Sequence, residues 1–137
     1  MTRDIDDFKQ INDLSGHVVG DMMLCAMATR IQEGIRHSDT LARMGGDEFA
    51  LILMNIKSKK DVIKILKKIT LLIAKGFLIE KKLLQATVSI GISLYPKDGS
   101  NLLIEKADTA MYYVKKNGKN NFKWYDASLK LKHRKTD

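Results

Sequence analysis

The chain has 137 residues, 45% hydrophobic and 29% charged, with a net charge of +8 and a single cysteine. That length gives one domain with a real core and excludes two ordinary ones, and the composition excludes extended disorder. No apolar run approaches the roughly 20 residues of a membrane span; the longest, Ile69 to Ile79, is interrupted by Lys75.

Nothing at the N-terminus reads as a signal peptide. Cys25 cannot form an internal disulfide and falls in an apolar helical pattern, so it is expected to be a small core residue in a reducing compartment. The expected location is the cytoplasm, for the chain alone or as part of a larger membrane-bound protein. The positive charge raises a nucleic-acid reading, but its distribution argues against one. Many lysines fall on one helix face (Lys57, Lys59, Lys60, Lys64, Lys67, Lys68) or in the tail (Lys130, Lys132, Arg134, Lys135), with few aromatics among them to stack bases.

In chain order, Met1 to Ile5 reads as the end of a strand without its apolar lead. A dense acidic cluster, Asp4 to Asp13, follows, with Phe8 and Ile11 supplying a short helical turn. Gly20-Asp21 then precedes a helix to about Arg36, in which Met23, Leu24, Met27, Ala28, Ile31 and Ile35 recur at helical spacing. Arg43-Met44-Gly45-Gly46-Asp47-Glu48-Phe49 lies between two apolar segments, and its glycine pair predicts a hairpin. The two carboxylates at its tip are either solvated turn residues or parts of a site.

Lys59 to Ala74 is a second amphipathic helix, with Val62, Ile65, Leu66, Ile69, Leu72 and Ile73 on one face. Phe77 to Ile79 and Leu83 to Tyr95 read as strands joined at Glu80-Lys81-Lys82. The second of these alternates, which predicts packing on one face only. Pro96 opens a polar loop, and Ser100 is placed to cap a third helix with Leu103, Ala107, Ala110, Met111 and Val114 inward, ending at Gly118. Asn121 to Tyr125 is a last strand. The fold class is α+β, a mostly antiparallel sheet covered by helices, formed by residues 1–125 with 126–137 as a basic tail or linker.

If the first strand neighbours the hairpin, Asp4, Asp47 and Glu48 come together. That cluster is costly unless a hard cation sits among the carboxylates, and it suits Mg²⁺ holding a triphosphate for phosphoryl transfer. Lys9, Lys115 and Lys119 are candidate phosphate contacts.

The strings DIDDFKQIND, GHVVGD, RHSDTLARMGGDEF, ATVSIGISLYPKDG and ADTAMYYVKKNGKNNF, in this order and spacing, resemble the GGDEF domain of diguanylate cyclases from Asp4 to about Tyr125. The resemblance implies a palm-like nucleotidyl cyclase fold and condensation of two GTP into cyclic di-GMP with release of pyrophosphate, in a homodimer holding one GTP per subunit. It implies Asp4, Asp47 and the Ile5 carbonyl as ligands of Mg²⁺, two ions per site, or of Mn²⁺. It implies Glu48, beside Asp47, as the catalytic glutamate, which holds metal or helps to deprotonate the attacking 3′-hydroxyl. It implies Asn12 and Asp21 as the pair that reads guanine, and Phe8, Lys9, Gly45, Gly46, Lys115 and Lys119 as the rest of the substrate site. Arg36 and Asp39, an RxxD sequence, match a product-binding inhibitory site.

Three departures accompany the match. Lys119 stands where the family often has arginine, which keeps charge but loses the bidentate fork. The apolar start of the first strand and a segment containing Leu-Thr-Gly-Leu are missing, so the chain is expected to be N-terminally truncated. Tyr125-Asp126 resembles the linker that precedes a phosphodiesterase EAL domain, so a sensory or EAL domain is an expected partner. The alternative function is a catalytically weak or inactive module that binds GTP or cyclic di-GMP and regulates a partner domain; no nucleic-acid partner is expected.

Overall fold

The structure, a computed structural model, describes the backbone of residues 2–5 and, with their side chains, residues 11, 13 and 16–129. The elements in order are β1 (Thr2–Ile5), α1 (His17–Gly34), β2 (Thr40–Gly45), β3 (Glu48–Ile52), α2 (Lys59–Ala74), β4 (Phe77–Ile79), β5 (Lys82–Leu84), β6 (Val88–Ile92), α3 (Leu103–Lys116) and β7 (Phe122–Trp124). The architecture is α+β, as the sequence predicts. The chain forms two compact units, one of residues 2–5, 42–51 and 88–129, the other of residues 11, 13, 16–41 and 52–87.

The first unit is built on a sheet of order β2-β3-β1-β6-β7. β1 lies antiparallel between β3 and β6, while β7 runs parallel to β6. That one parallel pair follows from α3, which carries the chain back across the sheet between β6 and β7.

β6 corrects the one-faced reading, because all five of its residues are buried. The strand also ends at Ile92, and the predicted run from Leu83 is divided between β5 and β6. Small residues explain the error. A Cβ added to Gly91 would lie 1.8 Å from the carbonyl oxygen of Ala107 and 2.5 Å from the backbone nitrogen of Met111. α3 therefore rests directly on the strand backbone at Gly91, and within β6 the positions that read as polar, Ser89 and Gly91, are buried, while Gln85 and Thr87 ahead of it stay exposed.

Ala107, Ala110, Met111 and Val114 are buried on α3, together with Phe49, Leu51, Val88, Ile90 and Ile92 of the strands. Ser100 does not cap that helix: Leu102, at φ 58°, occupies the cap position without a side-chain hydrogen bond. The polar loop before it is ordered instead by Asp98, whose carboxylate accepts the Leu94 amide at 2.7 Å, and Lys106 donates to the Asp98 carbonyl.

In the second unit α1 packs on α2, and α1 also meets the separate β4–β5 ribbon. Met23, Leu24, Met27 and Ile31 face Val62, Leu66, Ile69, Ile73, Phe77 and Ile79 in its core. α1 begins at His17, so Gly20 and Asp21 lie inside it rather than ahead of it. Cys25 is exposed, not buried; it falls outside the stripe formed by Met23, Leu24, Met27 and Ile31. Arg30 reaches the end of α2, donating to the carbonyls of Leu72 and Gly76 with its guanidinium 3.8 Å from the Phe77 ring centre. Its charge suits the negative end of that helix.

The predicted turn at Phe8 and the tail beyond residue 129 lie outside the described residues. Among the described residues no helix is long and apolar enough to cross a membrane.

Candidate active site

The first unit carries most of the residues that the signature points to. In the register of β1 on β3, Asp4 is the direct partner of Glu48, and Arg3 of Phe49. Positions so opposed in an antiparallel pair are about 4.5–5.5 Å apart at Cα. Asp47 is the next residue back, in the turn, and both Asp47 and Glu48 are half-buried. Three acidic positions thus meet at one end of β1, beside the backbone of Ile5, which pairs with Val88 on the other flank.

The turn depends on its glycines. Gly45 has φ 146° and Gly46 φ 51°, and among the described residues a Cβ added at either meets nothing within 4 Å. Backbone conformation, not crowding, requires glycine at 45, and the space above both stays open to a ligand. Arg43, which the sequence reading did not select, donates from Nε to the Gly46 carbonyl at 2.8 Å and closes the turn from the β2 side. Its place three residues before a glycine in a Gly-Gly turn was the available signal.

The donor set fits a hard divalent cation: carboxylates plus a backbone carbonyl, all oxygen. Like charges at opposed positions destabilise a sheet unless something neutralises them. Among the described residues no three ligating side chains gather; the Asp4 side chain, which would complete the set, lies outside them.

Lys115 sits half-buried in the last turn of α3. Lys119 follows, exposed, at φ 60° with its amide on the Val114 carbonyl at 2.9 Å. α3 packs against both β1 and β6, so both lysines belong to the unit that holds the acidic positions.

The remaining predicted residues belong elsewhere. Asp21 is exposed on α1 in the second unit. Phe8, Lys9 and Asn12 lie outside the described residues.

Arg36 and Asp39 form a closed pair in the second unit. Asp39, its side chain fully buried, accepts from Arg36 Nε at 2.9 Å, Arg36 Nη2 at 2.8 Å and the amides of Arg36 and Met54 at 3.0 and 3.3 Å. Arg36 Nη2 also donates to the Met54 carbonyl at 2.6 Å, while 45% of the Arg36 side chain stays exposed. The bond from Arg36 holds the Asp39 carboxyl below its ordinary range against the opposing effect of burial, and the same bond raises Arg36.

Comparison with known proteins agrees with this geometry. The family described as "Diguanylate cyclase, GGDEF domain" matches residues 1–121. The bifunctional diguanylate cyclase/cyclic di-GMP phosphodiesterase MucR of Pseudomonas aeruginosa is 38% identical over 128 residues, 92% of this chain and 18% of MucR. The diguanylate cyclase TpbB of the same species is 40% identical over 116 residues, 82% of this chain and 27% of TpbB. The chain thus spans less than a third of the length of these curated relatives. Among solved structures, the GGDEF domain of TpbB superposes with a TM-score of 0.87 at 35% identity, covering 91% of this chain and 80% of that one. The GGDEF domain of DgcB from Caulobacter crescentus, solved with cyclic di-GMP, gives 0.79 at 29% identity, covering 90% and 75%. With its signature on a β2–β3 turn beside the end of β1, and with nearly its whole length matched, the chain belongs to the GGDEF domain family of diguanylate cyclases.

Proposed function

We propose that the chain is a diguanylate cyclase domain, condensing two GTP into cyclic di-GMP with release of pyrophosphate in a cytoplasmic homodimer. The observation that carries this reading is the register that sets Asp4 opposite Glu48, with Asp47 next to it in an open glycine turn. Family membership supports it, as do relatives named for the same activity, among them TpbB and the diguanylate cyclase A of Treponema denticola.

Asp4, Asp47, Glu48 and the Ile5 carbonyl would hold Mg²⁺, two ions per site, or Mn²⁺ in its place. Bound there, the cations would offset triphosphate charge and acidify the attacking hydroxyl. Glu48 accepts the proton of the 3′-hydroxyl of one GTP as that oxygen attacks the α-phosphorus of the other and pyrophosphate leaves, and the same step in the opposite sense, from the partner subunit's site, closes the ring and releases the second pyrophosphate. Gly45 and Gly46 admit the phosphates close to the backbone, and Lys9, Lys115 and Lys119 balance their charge. Asp21 accepts from the N1 and N2 donors of guanine while Asn12 meets the purine edge and Phe8 lines the pocket. Arg36 and Asp39 form the feedback site for the product, Arg36 meeting it through a side chain that is 45% exposed and the buried Asp39 holding that arginine in place.

The test is incubation of the chain with GTP and Mg²⁺, beside an Asp47→Ala control. Cyclic di-GMP formed by the parent and not by the control is the expected result; none at high protein concentration removes the catalytic reading. A second reading, a regulatory module that binds nucleotide without turnover beside an EAL or sensory domain, is favoured by one observation. The same domain matches proteins named as cyclic di-GMP phosphodiesterases, NbdA of Pseudomonas aeruginosa at 33% identity and PdeR of Escherichia coli at 36%. Calorimetric binding of GTP or cyclic di-GMP without product formation would select it.

A further inference from the structure

α2 has two stripes of different character. Val62, Leu66, Ile69 and Ile73 are buried, and the opposite stripe reads Lys60, Lys64, Lys67, Leu71 and Lys75 over successive turns, all exposed. Leu71 stands among those lysines with 68% of its surface exposed. The ribbon that follows repeats the combination. Phe77 and Ile79 enter the core, whereas Leu78 and Leu83 are direct cross-strand partners with 71% and 59% of their surfaces exposed. Lys81 in the turn is exposed as well, while Lys82, also exposed, pairs with the buried Ile79 and so belongs to the other face of the ribbon. Residues 57–82 hold nine lysines against two acids, Asp61 and Glu80, with no arginine, tyrosine or tryptophan.

A lysine-bearing helix face is ordinarily a solvated face, and a lone exposed leucine is ordinary too. An opposed leucine pair on the ribbon and a third leucine inside the lysine stripe depart from that: each is an exposed apolar group within a lysine-rich stretch of the chain. We propose that the exposed leucines and lysines of α2 and of the β4–β5 ribbon bring this unit onto an anionic lipid bilayer. Protein partners favour aromatic and arginine anchors and disfavour lysine at their contacts, and this surface has the reverse composition. A lipid surface uses both of its features: lysines gain from the negative potential of the headgroups, and leucines enter the acyl boundary. The inference is independent of GTP turnover.

The experiment is co-sedimentation of the chain with vesicles of phosphatidylglycerol and phosphatidylcholine, beside vesicles of phosphatidylcholine alone. Retention on the anionic vesicles only is expected, lost as salt rises from about 0.1 M to about 0.5 M. The double substitution Leu78→Ser and Leu83→Ser lowers the partition at least about tenfold, and each of Lys64→Gln and Lys67→Gln lowers it about fivefold. Circular dichroism verifies that the variants fold; should the double variant not fold, Leu71→Ser on the solvent stripe of α2 carries the same readout at about fivefold. No retention on anionic vesicles overturns the proposal. Retention that survives the leucine substitutions, or that vanishes instead with Lys130→Gln and Lys132→Gln in the tail, also overturns it, because charge alone then explains binding. Binding to an acidic amphipathic peptide without binding to vesicles assigns the surface to a protein and overturns it as well.

Discussion

The molecule contains two tight hairpins that solve the same backbone problem with different residues. β2–β3 turns through Gly45 and Gly46, and β4–β5 turns through Glu80 and Lys81 at φ 48° and 67°. Non-glycine residues therefore do adopt the left-handed region in this chain, at a cost of about 1–2 kcal/mol each. Gly46, at φ 51°, is not demanded by φ alone; what sets its turn apart is the space above it that no described residue fills and the acids behind it. Gly91 is a third case, a glycine with no room at all. The contrast separates glycine kept for a ligand from glycine kept for packing.

The largest effect that sharpens this contrast is on turnover. Glu48→Gln is expected to lower cyclic di-GMP synthesis by about a thousandfold with no loss of melting temperature, while Glu80→Gln in the other turn leaves turnover unchanged. Equal losses in the two variants would break the comparison.

Next is packing. Gly91→Ala forces a methyl into the Ala107 carbonyl and is expected to cost about 3 kcal/mol in urea unfolding. A stable Gly91→Ala protein would mean that α3 can lift from β6.

Asp39 immediately precedes β2 and is bonded to Met54, just beyond β3. Asp39→Asn is expected to cost about 2 kcal/mol through lost charge-assisted hydrogen bonds. The folded carboxyl titrates below its ordinary 3.8. Its contribution is therefore complete above that pH and fades as pH falls through the lower folded value. Acid melting curves of parent and variant should converge in that window.

The smallest effect concerns the turns themselves. Gly46→Ala should cost about 1 kcal/mol. Lys81→Gly should stabilise by about 0.5 kcal/mol, because relief of the left-handed strain outweighs glycine's added chain entropy. Thermal melts of the two variants shifting in the same direction would contradict the account.

Much of the fold is legible along the chain because helix periodicity is local. Lys59 to Ala74 appears with the predicted bounds, and Val62, Leu66, Ile69 and Ile73 all turn inward. The hairpin was legible through its glycines, and the carboxylate pair through its position between apolar runs. β6 was not legible. Its polar-looking alternation consists of Ser89 and Gly91, and only the presence of α3 tells a small residue under a helix from a small residue in water. Cys25 failed for a related reason: an apolar pattern names a helix, but the partner helix selects the stripe that is buried. Ser100 failed because the Asp98 loop delays the helix until Leu103.

The sequence by itself determined the chemistry available to this protein, since residue types and their spacing carry the glycine turn, the acids, the basic residues and the family likeness. Tertiary structure decided which acids meet. Asp4 and Glu48 are far apart along the chain, and only the antiparallel register of β1 on β3 makes them partners. Register depends on strand pairing and on the layers packed over the strands, so no local pattern encodes it. The same holds for Arg36 and Asp39, where the spacing named a pair and the Met54 backbone closed it.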